Sequence, residues 1–312
     1  MDPSRLVLMT DHSSTEGSRA TLATAVELLT GEAPLLVDAR YFMTGGTGLA
    51  DTTDGRLRLR TPRAPGAVLP SAVIVYEIPP ARRRSFEPFQ RLLDRRAVAS
   101  LGSGVRAWRA ATEKNLTVER FARDGIAQMA TVSLRRPSPG TAADAFEQLG
   151  RDVWARPTVG MGGSDVFHLT TDAHLRAAAA HYARSGQDWL IARDAGNFTP
   201  DGRRHQFRVV VLDGRVVRAV EHVQADPDAP CNEGQGAVST LLAPDELPAG
   251  LARLAISATA SLGLPFAGVD LAAESGGVVF EVNVHPMFGS VGGLETVAIP
   301  YVEAHLALLA QS

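Results

Sequence analysis

GVDLAAESGGVVFEVN, residues 268–283, is the stretch on which the reading of this chain turns. Two apolar runs flank a turn of small residues, and the runs carry acids where hydrophobic side chains otherwise stand. Side chains alternate between the faces of a strand, so Glu281 and Asn283 share a face. A two-residue loop at Ser275-Gly276 sets Asp270 directly opposite Glu281. A loop at Gly276-Gly277 sets Asp270 opposite Asn283, with Glu281 on the diagonal. Either register gathers Asp270, Glu281 and Asn283 on one face, with opposed Cβ atoms about 4.5–5.5 Å apart. Two carboxylates that close repel unless a cation or a proton lies between them. An Asp, a Glu and an Asn amide oxygen are hard donors suited to Mg²⁺, which completes its octahedron with water and substrate phosphates. The plainer alternative is an exposed polar face on an edge hairpin, with Val269, Leu271, Val279, Phe280 and Val282 as the buried face.

Working outward, WARPTVGMGGSDV at 154–166 is a strand ended by proline and followed by a glycine loop, Gly160 to Ser164. Such a loop lets backbone N–H groups approach a phosphate, and Arg156 adds a cation just before it. A plain hairpin turn is the alternative, and GxxxxGK[ST] is absent. RHQFRVVVLDGRVVRAV at 204–220 is a hairpin through Asp213-Gly214, the strongest short hairpin signal, with Arg208 in an otherwise apolar strand. His222 ends the second strand, and CNEGQG at 231–236 makes a glycine turn carrying Asn232.

The chain has 312 residues, 45% hydrophobic and 21% charged, which is globular composition and length enough for two or three domains. A net charge of −3 excludes the broad positive footprint of a dedicated nucleic-acid binder. The one cysteine, Cys231, excludes an internal disulfide and a Cys-rich zinc site. The first apolar run, Leu6 to Met9, is too short for a signal peptide or a membrane span, so a cytoplasmic protein is expected. Of the 31 basic residues only Lys114 is lysine. A GC-rich genome accounts for the arginines and leaves open why one lysine stays. An ammonium and a planar guanidinium are not interchangeable at every site, so Lys114 is a pointer to follow.

Strands at Leu6–Met9, Pro34–Val37 and Ser71–Tyr76 alternate with helices at Ser18–Leu29 and Phe86–Val98, with a hairpin or loop excursion at 44–66, which suggests a parallel sheet over residues 1–100. Residues 101–187 form a second block. It has one broken or two helices from Gly104 to Arg123, a strand at Gln128–Ser133, a loop at 135–140, the strand and glycine loop above, a strand at Val166–Leu169 and a helix at Asp172–Ser185. Residues 188–312 form a third, mostly of strands, with helices at Pro248–Leu262 and Ile299–Leu309. The fold class is α/β with α+β character.

Taken in order, these segments resemble the ATP-grasp superfamily, nearest to RimK-like carboxylate–amine ligases, over about residues 100–312. The pieces are Lys114 before a DGI turn, a basic residue and proline before the glycine loop, a hinge strand at 189–194, FRVVVLDGRVVRAV, CNEGQGA and GVDL…VVFEVNVHP. The resemblance implies an ATP-grasp fold of three subdomains, with nucleotide between the central and C-terminal ones. It implies that Lys114 and Arg156 hold ATP phosphates, Arg156 standing where a second lysine is usual. Gly160, Gly162, Gly163 and Ser164 would cover the phosphates. Ala192, Arg193 and Asp194 would meet adenine through backbone groups, although the usual Gln-Glu pair is lacking. Asp270, Glu281 and Asn283 would hold two magnesium ions, with manganese a possible substitute. Arg208 would meet the transferred phosphate, and His222 stands where an arginine is common. His222, Asn232, Gly236 and His285 are the substrate candidates, with Asp11, His12, Glu16, Tyr76 and Glu77 as further lining.

The implied reaction turns a carboxylate into an acyl phosphate that an amine then attacks, so that cations and metal do most of the work. The substrates would be an amino acid or small peptide in the making of a specialised metabolite, with no nucleic acid and no membrane involved. A homodimer or homotetramer is the family habit. Two other readings stand beside it, a small-molecule kinase of the same fold and a nucleotide-binding module without turnover. A dinucleotide oxidoreductase fails because Thr44-Gly-Gly-Thr-Gly48 lacks both context and pattern, and a serine hydrolase fails for want of GxSxG.

Overall fold

The computed structural model describes residues 6–62, 66–96, 98–288 and 292–311. Parts of two expected elements, residues 63–65 of the 44–66 excursion and residue 97 of the helix at 86–98, lie outside them. The chain forms two compact units. One comprises residues 1–109, 264–267 and 284–312, and the other 110–263 and 268–283.

The first unit is built on three parallel strands, β1 (Leu6–Thr10), β2 (Leu35–Asp38) and β5 (Ala72–Val75), in the order β2-β1-β5. Val7, Leu8, Val73 and Ile74 are fully buried, which is why β1 and β5 read as unbroken apolar runs and not as alternating ones. Helix α1 (Ser18–Thr30) connects β1 to β2, the right place for a parallel crossover. The excursion at 44–66 is a hairpin of β3 (Leu49–Thr53) and β4 (Arg56–Arg60), turned by Asp54 and Gly55, both at positive φ. Helix α2 (Pro80–Arg96) starts six residues before the apolar pattern suggests. Pro80 takes the first helical position, where a missing N–H is harmless. In helix α3 (Val105–Thr112) the chain passes from the first unit to the second, after Arg109.

The second unit holds two sheets. Helix α4 (Lys114–Asp124) leads into the first, made of β6 (Thr131–Leu134), β7 (Val153–Pro157), β8 (Phe167–Leu169) and β9 (Trp189–Arg193) in the antiparallel order β6-β9-β7-β8. Helices α5 (Pro139–Gln148) and α6 (Asp172–Ser185) pack on it through Phe146, Leu175 and Tyr182, with Tyr182 stacked on Trp189 at 4.9 Å. The sequence reading missed α5, whose first residues look like a proline-rich loop. Ser138 caps it by accepting from Thr141 N–H at 3.1 Å, and Pro139 starts it.

The second sheet contains β10 (Arg204–Leu212), β11 (Arg215–Gln224), β12 (Val238–Leu241), β13 (Phe266–Ala272) and β14 (Val278–Asn283), in the order β12-β11-β10-β13-β14. Helix α7 (Leu251–Leu262) packs on β10 and β14. Asp213 and Gly214, both at positive φ, turn the β10–β11 hairpin as expected. The short edge strand β12 is an addition to the sequence reading. Residues 268–283 of the β13–β14 hairpin belong to this unit, while the chain on either side of them, including the first two residues of β13, belongs to the first. Helix α8 (Ile299–Ala310) closes the first unit. Among the described residues no helix is long and apolar enough to cross a membrane.

Candidate active site

Asp270 pairs with Glu281, Val269 with Val282 and Gly268 with Asn283, so one of the two expected registers is the one found. The turn is longer than two residues, since Glu274–Gly276 form a short helical turn with Ser275 at φ 55°. A bulge beyond Asp270 absorbs the difference.

β10 lies beside β13, and alternation puts Arg208 on the face that carries Asp270. Their contact is bidentate, Nε to Oδ1 at 2.7 Å and Nη2 to Oδ2 at 2.8 Å. Burial opposes a charge on Arg208, but the Asp270 carboxylate outweighs it and holds the guanidinium above its ordinary pKa. Asn283 Nδ2 donates to Asp270 Oδ2 at 3.2 Å. Lys114 opens α4, is buried, and sets Nζ 3.0 Å from Glu281 Oε1. It also donates to the Gly160 carbonyl at 3.3 Å. Arg156 on β7 donates from Nη1 to the Phe280 carbonyl at 2.7 Å, while its Nε is buried with no hydrogen-bond partner. Burial lowers its pKa against the pull of Glu281 and Asp270. Three cations and two carboxylates thus meet in one cleft of about 1090 Å³, counting the part open to solvent.

Gly160, Gly162, Gly163 and Ser164 line that cleft beside Lys114 and Arg156. Gly163 has φ 73°, and a Cβ on it would fall 2.6 Å from Asn232 Oδ1. The glycine loop therefore rests on the turn at 231–236, and a side chain at Gly163 would be strained at that φ and would force Asn232 to shift.

The donor set fits magnesium. Asp270 and Glu281 offer carboxylate oxygens, and Asn283, having turned its NH₂ to Asp270, leaves its carbonyl oxygen for a cation.

Four expected contacts are placed otherwise. Asp194 does not line the cleft. Its carboxylate is taken up by Trp154 Nε1 at 2.6 Å, Arg204 Nη1 at 2.7 Å and Gly196 N–H at 2.6 Å. Ala192 and Arg193 do line it, but the N–H groups of Arg193 and Asp194 are bonded to the carbonyls of Ala130 and Asp152. His285 sits in the aromatic core of the first unit, 4.6 Å from the Tyr76 ring and 4.7 Å from that of Trp108. Burial drives its pKa well below the ordinary value. Gly236 ends the 231–236 turn, and His222 pairs with Gln206 and Ser239 in the sheet; neither is among the residues lining the cleft. Asn232 does line the cleft.

Of the candidates in the first unit, Tyr76 donates its hydroxyl to the Pro286 carbonyl at 2.6 Å. Glu77 accepts the N–H of Arg19 at 2.7 Å at the start of α1. Asp11 is buried against Arg82. Sequence reasoning missed Trp154, Met129 and Gln206 among the lining residues. The first two stand in runs that look like ordinary core, and the signal for Gln206 was its parity with Arg208 on β10.

Residues 183–297 match the RimK-like ATP-grasp domain family. That segment contains Arg208, Asp270, Glu281 and Asn283, while Lys114, Arg156 and the glycine loop precede it. The chain is 36% identical over 102 residues to a probable alpha-L-glutamate ligase of Parasynechococcus marenigrum (strain WH8102). That stretch is 32% of this chain and spans only 20% of the relative's length. Among solved structures, the ATP-grasp ligase PsnB complexed with minimal precursor superposes with TM-score 0.69 at 16% identity, over 98% of this chain and 99% of that one. The D-cycloserine synthetase DcsG gives 0.68 at 18% identity, over 97% and 99%. The D-alanyl-alanine synthetase A of Vibrio cholerae O1 biovar eltor str. N16961 gives 0.69 at 15%, over 99% of each. The fold is that of the ATP-grasp ligases.

Proposed function

We propose that this chain, a bearer of the RimK-like ATP-grasp domain, joins a carboxylate to an amine at the expense of ATP. The observation that carries the reading is the convergence of Lys114, Arg156 and Arg208 on the Asp270–Glu281–Asn283 face beside a glycine loop. A carboxylate is a poor electrophile. Attack of its oxygen on the γ-phosphorus releases ADP and leaves an acyl phosphate, and amine attack on the acyl carbon then expels phosphate. Lys114 and Arg156 hold the phosphates, Arg156 with the Nε and Nη2 edge that Phe280 leaves over. Arg208, held in place by Asp270, faces the phosphoryl group in transfer and the charge it develops. The glycine loop excludes water from the acyl phosphate.

Asp270, Glu281 and Asn283 would hold two magnesium ions, which neutralise phosphate charge when bound, with manganese able to replace them. The substrates in this reading are an amino acid or small peptide and an amine. The RimK-like match and the amino-acid and peptide ligases among the similar proteins support that class. The family resemblance further suggests a cytoplasmic homodimer or homotetramer, with residues 101–187 and 188–312 closing on the nucleotide.

The test is phosphorus NMR of the protein with Mg²⁺-ATP and pooled amino acids. ADP and free phosphate that depend on an added amine are expected. A stable phosphorylated product without free phosphate would instead make it a kinase and refute the reading.

A further inference from the structure

The glycine loop is held at two feet and only lightly between them. At the first foot Thr158 N–H donates to the Asp188 carbonyl at 2.9 Å. Lys114 adds its N–H to the Thr158 carbonyl at 3.0 Å and its ammonium to the Gly160 carbonyl at 3.3 Å. The crown has a turn bond from Ser164 N–H to the Met161 carbonyl at 3.2 Å. It also takes a long reach from Gln235 Nε2 to the Gly162 carbonyl at 3.5 Å. Pairing with β7 resumes at Phe167. The second foot, between crown and strand, is Asp165.

Asp165 has φ 59°, in the left-handed region that residues with a Cβ rarely enter. Its neighbours Ser164 and Val166 line the cleft, and Asp165 does not. The left-handed turn thus carries an acid past the phosphate end with its carboxylate turned toward α6. There His181 Nε2 stands 2.9 Å from Asp165 Oδ1, an electrostatic contact without hydrogen-bond geometry. Tyr182, next along α6, donates its hydroxyl to the Asp165 carbonyl at 2.5 Å. Its ring is 1% exposed, stacked on Trp189 at 4.9 Å and edge-on to Phe167 at 5.8 Å, so the core behind it fixes the donor. Burial, with the Asp165 carboxylate next, raises the pKa of Tyr182 and keeps it a hydroxyl at neutral pH. Backbone held in a sparsely populated region persists where its surroundings over-determine it, and ligand clamps are one such place.

We infer that Tyr182 is a positioning residue for the nucleotide, which fixes the far foot of the glycine loop through the Asp165 carbonyl and so sets the loop over the phosphates. The inference rests on the ligase reading above, in which that loop covers ATP. A loop whose feet are fixed in advance has less chain to order when phosphate arrives. Tyr182 touches no ligand itself and acts through the loop. The loop meets the phosphates and not the base, so the effect falls on ATP and spares adenosine.

The test compares the affinities of the full chain for Mg²⁺-ATP, by calorimetry, and for adenosine, by a saturation-transfer NMR titration. Tyr182→Phe keeps the ring and its stacking on Trp189 and deletes the tether. Its dissociation constant for ATP should rise roughly fivefold, the worth of one neutral hydrogen bond, while that for adenosine stays within about twofold. Asp165→Asn keeps the carbonyl and tolerates the left-handed turn, so it should bind ATP within about threefold of wild type. Asp165→Val cannot hold that turn and should lose roughly tenfold or more on ATP, again sparing adenosine. Unchanged ATP affinity in Tyr182→Phe, or a loss shared equally by adenosine, overturns the inference. A wild-type protein that binds no ATP overturns the ligase reading, and the inference with it.

Discussion

Arg208 and Asp270 can be removed singly or together, and the pattern of stabilities tests whether they hold each other in place. In the Arg208→Ala variant Asp270 keeps a carboxylate whose side chain is 6% exposed. Its remaining bond is the one from Asn283 at 3.2 Å. Stranding one partner of a buried pair costs about 3–5 kcal/mol, and the surviving Asn283 bond points to the lower end, about 3 kcal/mol. Asp270→Asn strands the guanidinium, whose side chain is 18% exposed, and should cost a similar amount. The double variant leaves no unpaired charge, and an asparagine at 270 can still bond Asn283. It should therefore lie within about 1 kcal/mol of wild type, far from the roughly 6 kcal/mol that independent effects would sum to. The assay is urea unfolding of nucleotide-free protein followed by circular dichroism. In thermal scans each single variant should melt roughly 6–12 °C lower. Single variants as stable as wild type, or a double variant as unstable as the sum, would refute the reasoning.

Glu281→Ala removes a proposed metal ligand and the counter-ion of Lys114. Its ATP turnover should fall by at least roughly 10³-fold, and normal activity would remove Glu281 from the metal site. Gly163→Ala places a methyl 2.6 Å from Asn232 Oδ1 at φ 73°, so Asn232 must give way and the loop seats less well. The KM for ATP should rise roughly tenfold, and Asn232→Ala in the same protein should recover part of it. His305 bonds through both ring nitrogens in its neutral form, Nδ1 to the Tyr301 carbonyl at 2.9 Å and Nε2 from Leu101 N–H at 3.1 Å. Burial lowers its pKa from 6.5 to about 4. The unfolded chain therefore binds a proton first as pH falls, so this stability is complete above pH 6.5 and lost between 6.5 and 4. The loss is roughly 3 kcal/mol, measured as a urea midpoint that falls with pH in wild type and falls less in His305→Gln.

The acids of β13 and β14 were legible because a strand repeats every two residues, and a carboxylate on the wrong parity of an apolar run stands out. Lys114 was legible through composition, as the single exception to an arginine habit. The bulge beyond Asp270 was not, because it depends on Ser275 adopting a positive φ that no residue type demands. The carboxylate of Asp194 was not legible either. The sequence marks Asp194 as a hinge residue whose backbone is expected at adenine, and it does not state that the carboxylate answers Trp154 and Arg204. His285 follows β14 so closely that the sequence places it with the site. One residue past the hairpin the chain has re-entered the first unit, and the imidazole goes to the aromatic core there. Helix α5 was hidden because Ser138-Pro139 is both a turn signal and a helix start.

Residues 268–283 are a loan from one unit to the other, since the chain leaves the first unit only to make this hairpin and then returns. No single cut frees the second unit intact. A fragment ending at Gly263 would keep Lys114, Arg156 and Arg208 and lose Asp270 and Glu281, the carboxylates that pair with Arg208 and Lys114. On the ribosome the same order holds. At ~5–20 residues per second the cations wait many seconds for Asp270 and Glu281 to emerge. The site therefore cannot be grafted onto another protein as a continuous segment, and it cannot be assembled until the β13–β14 hairpin has been made.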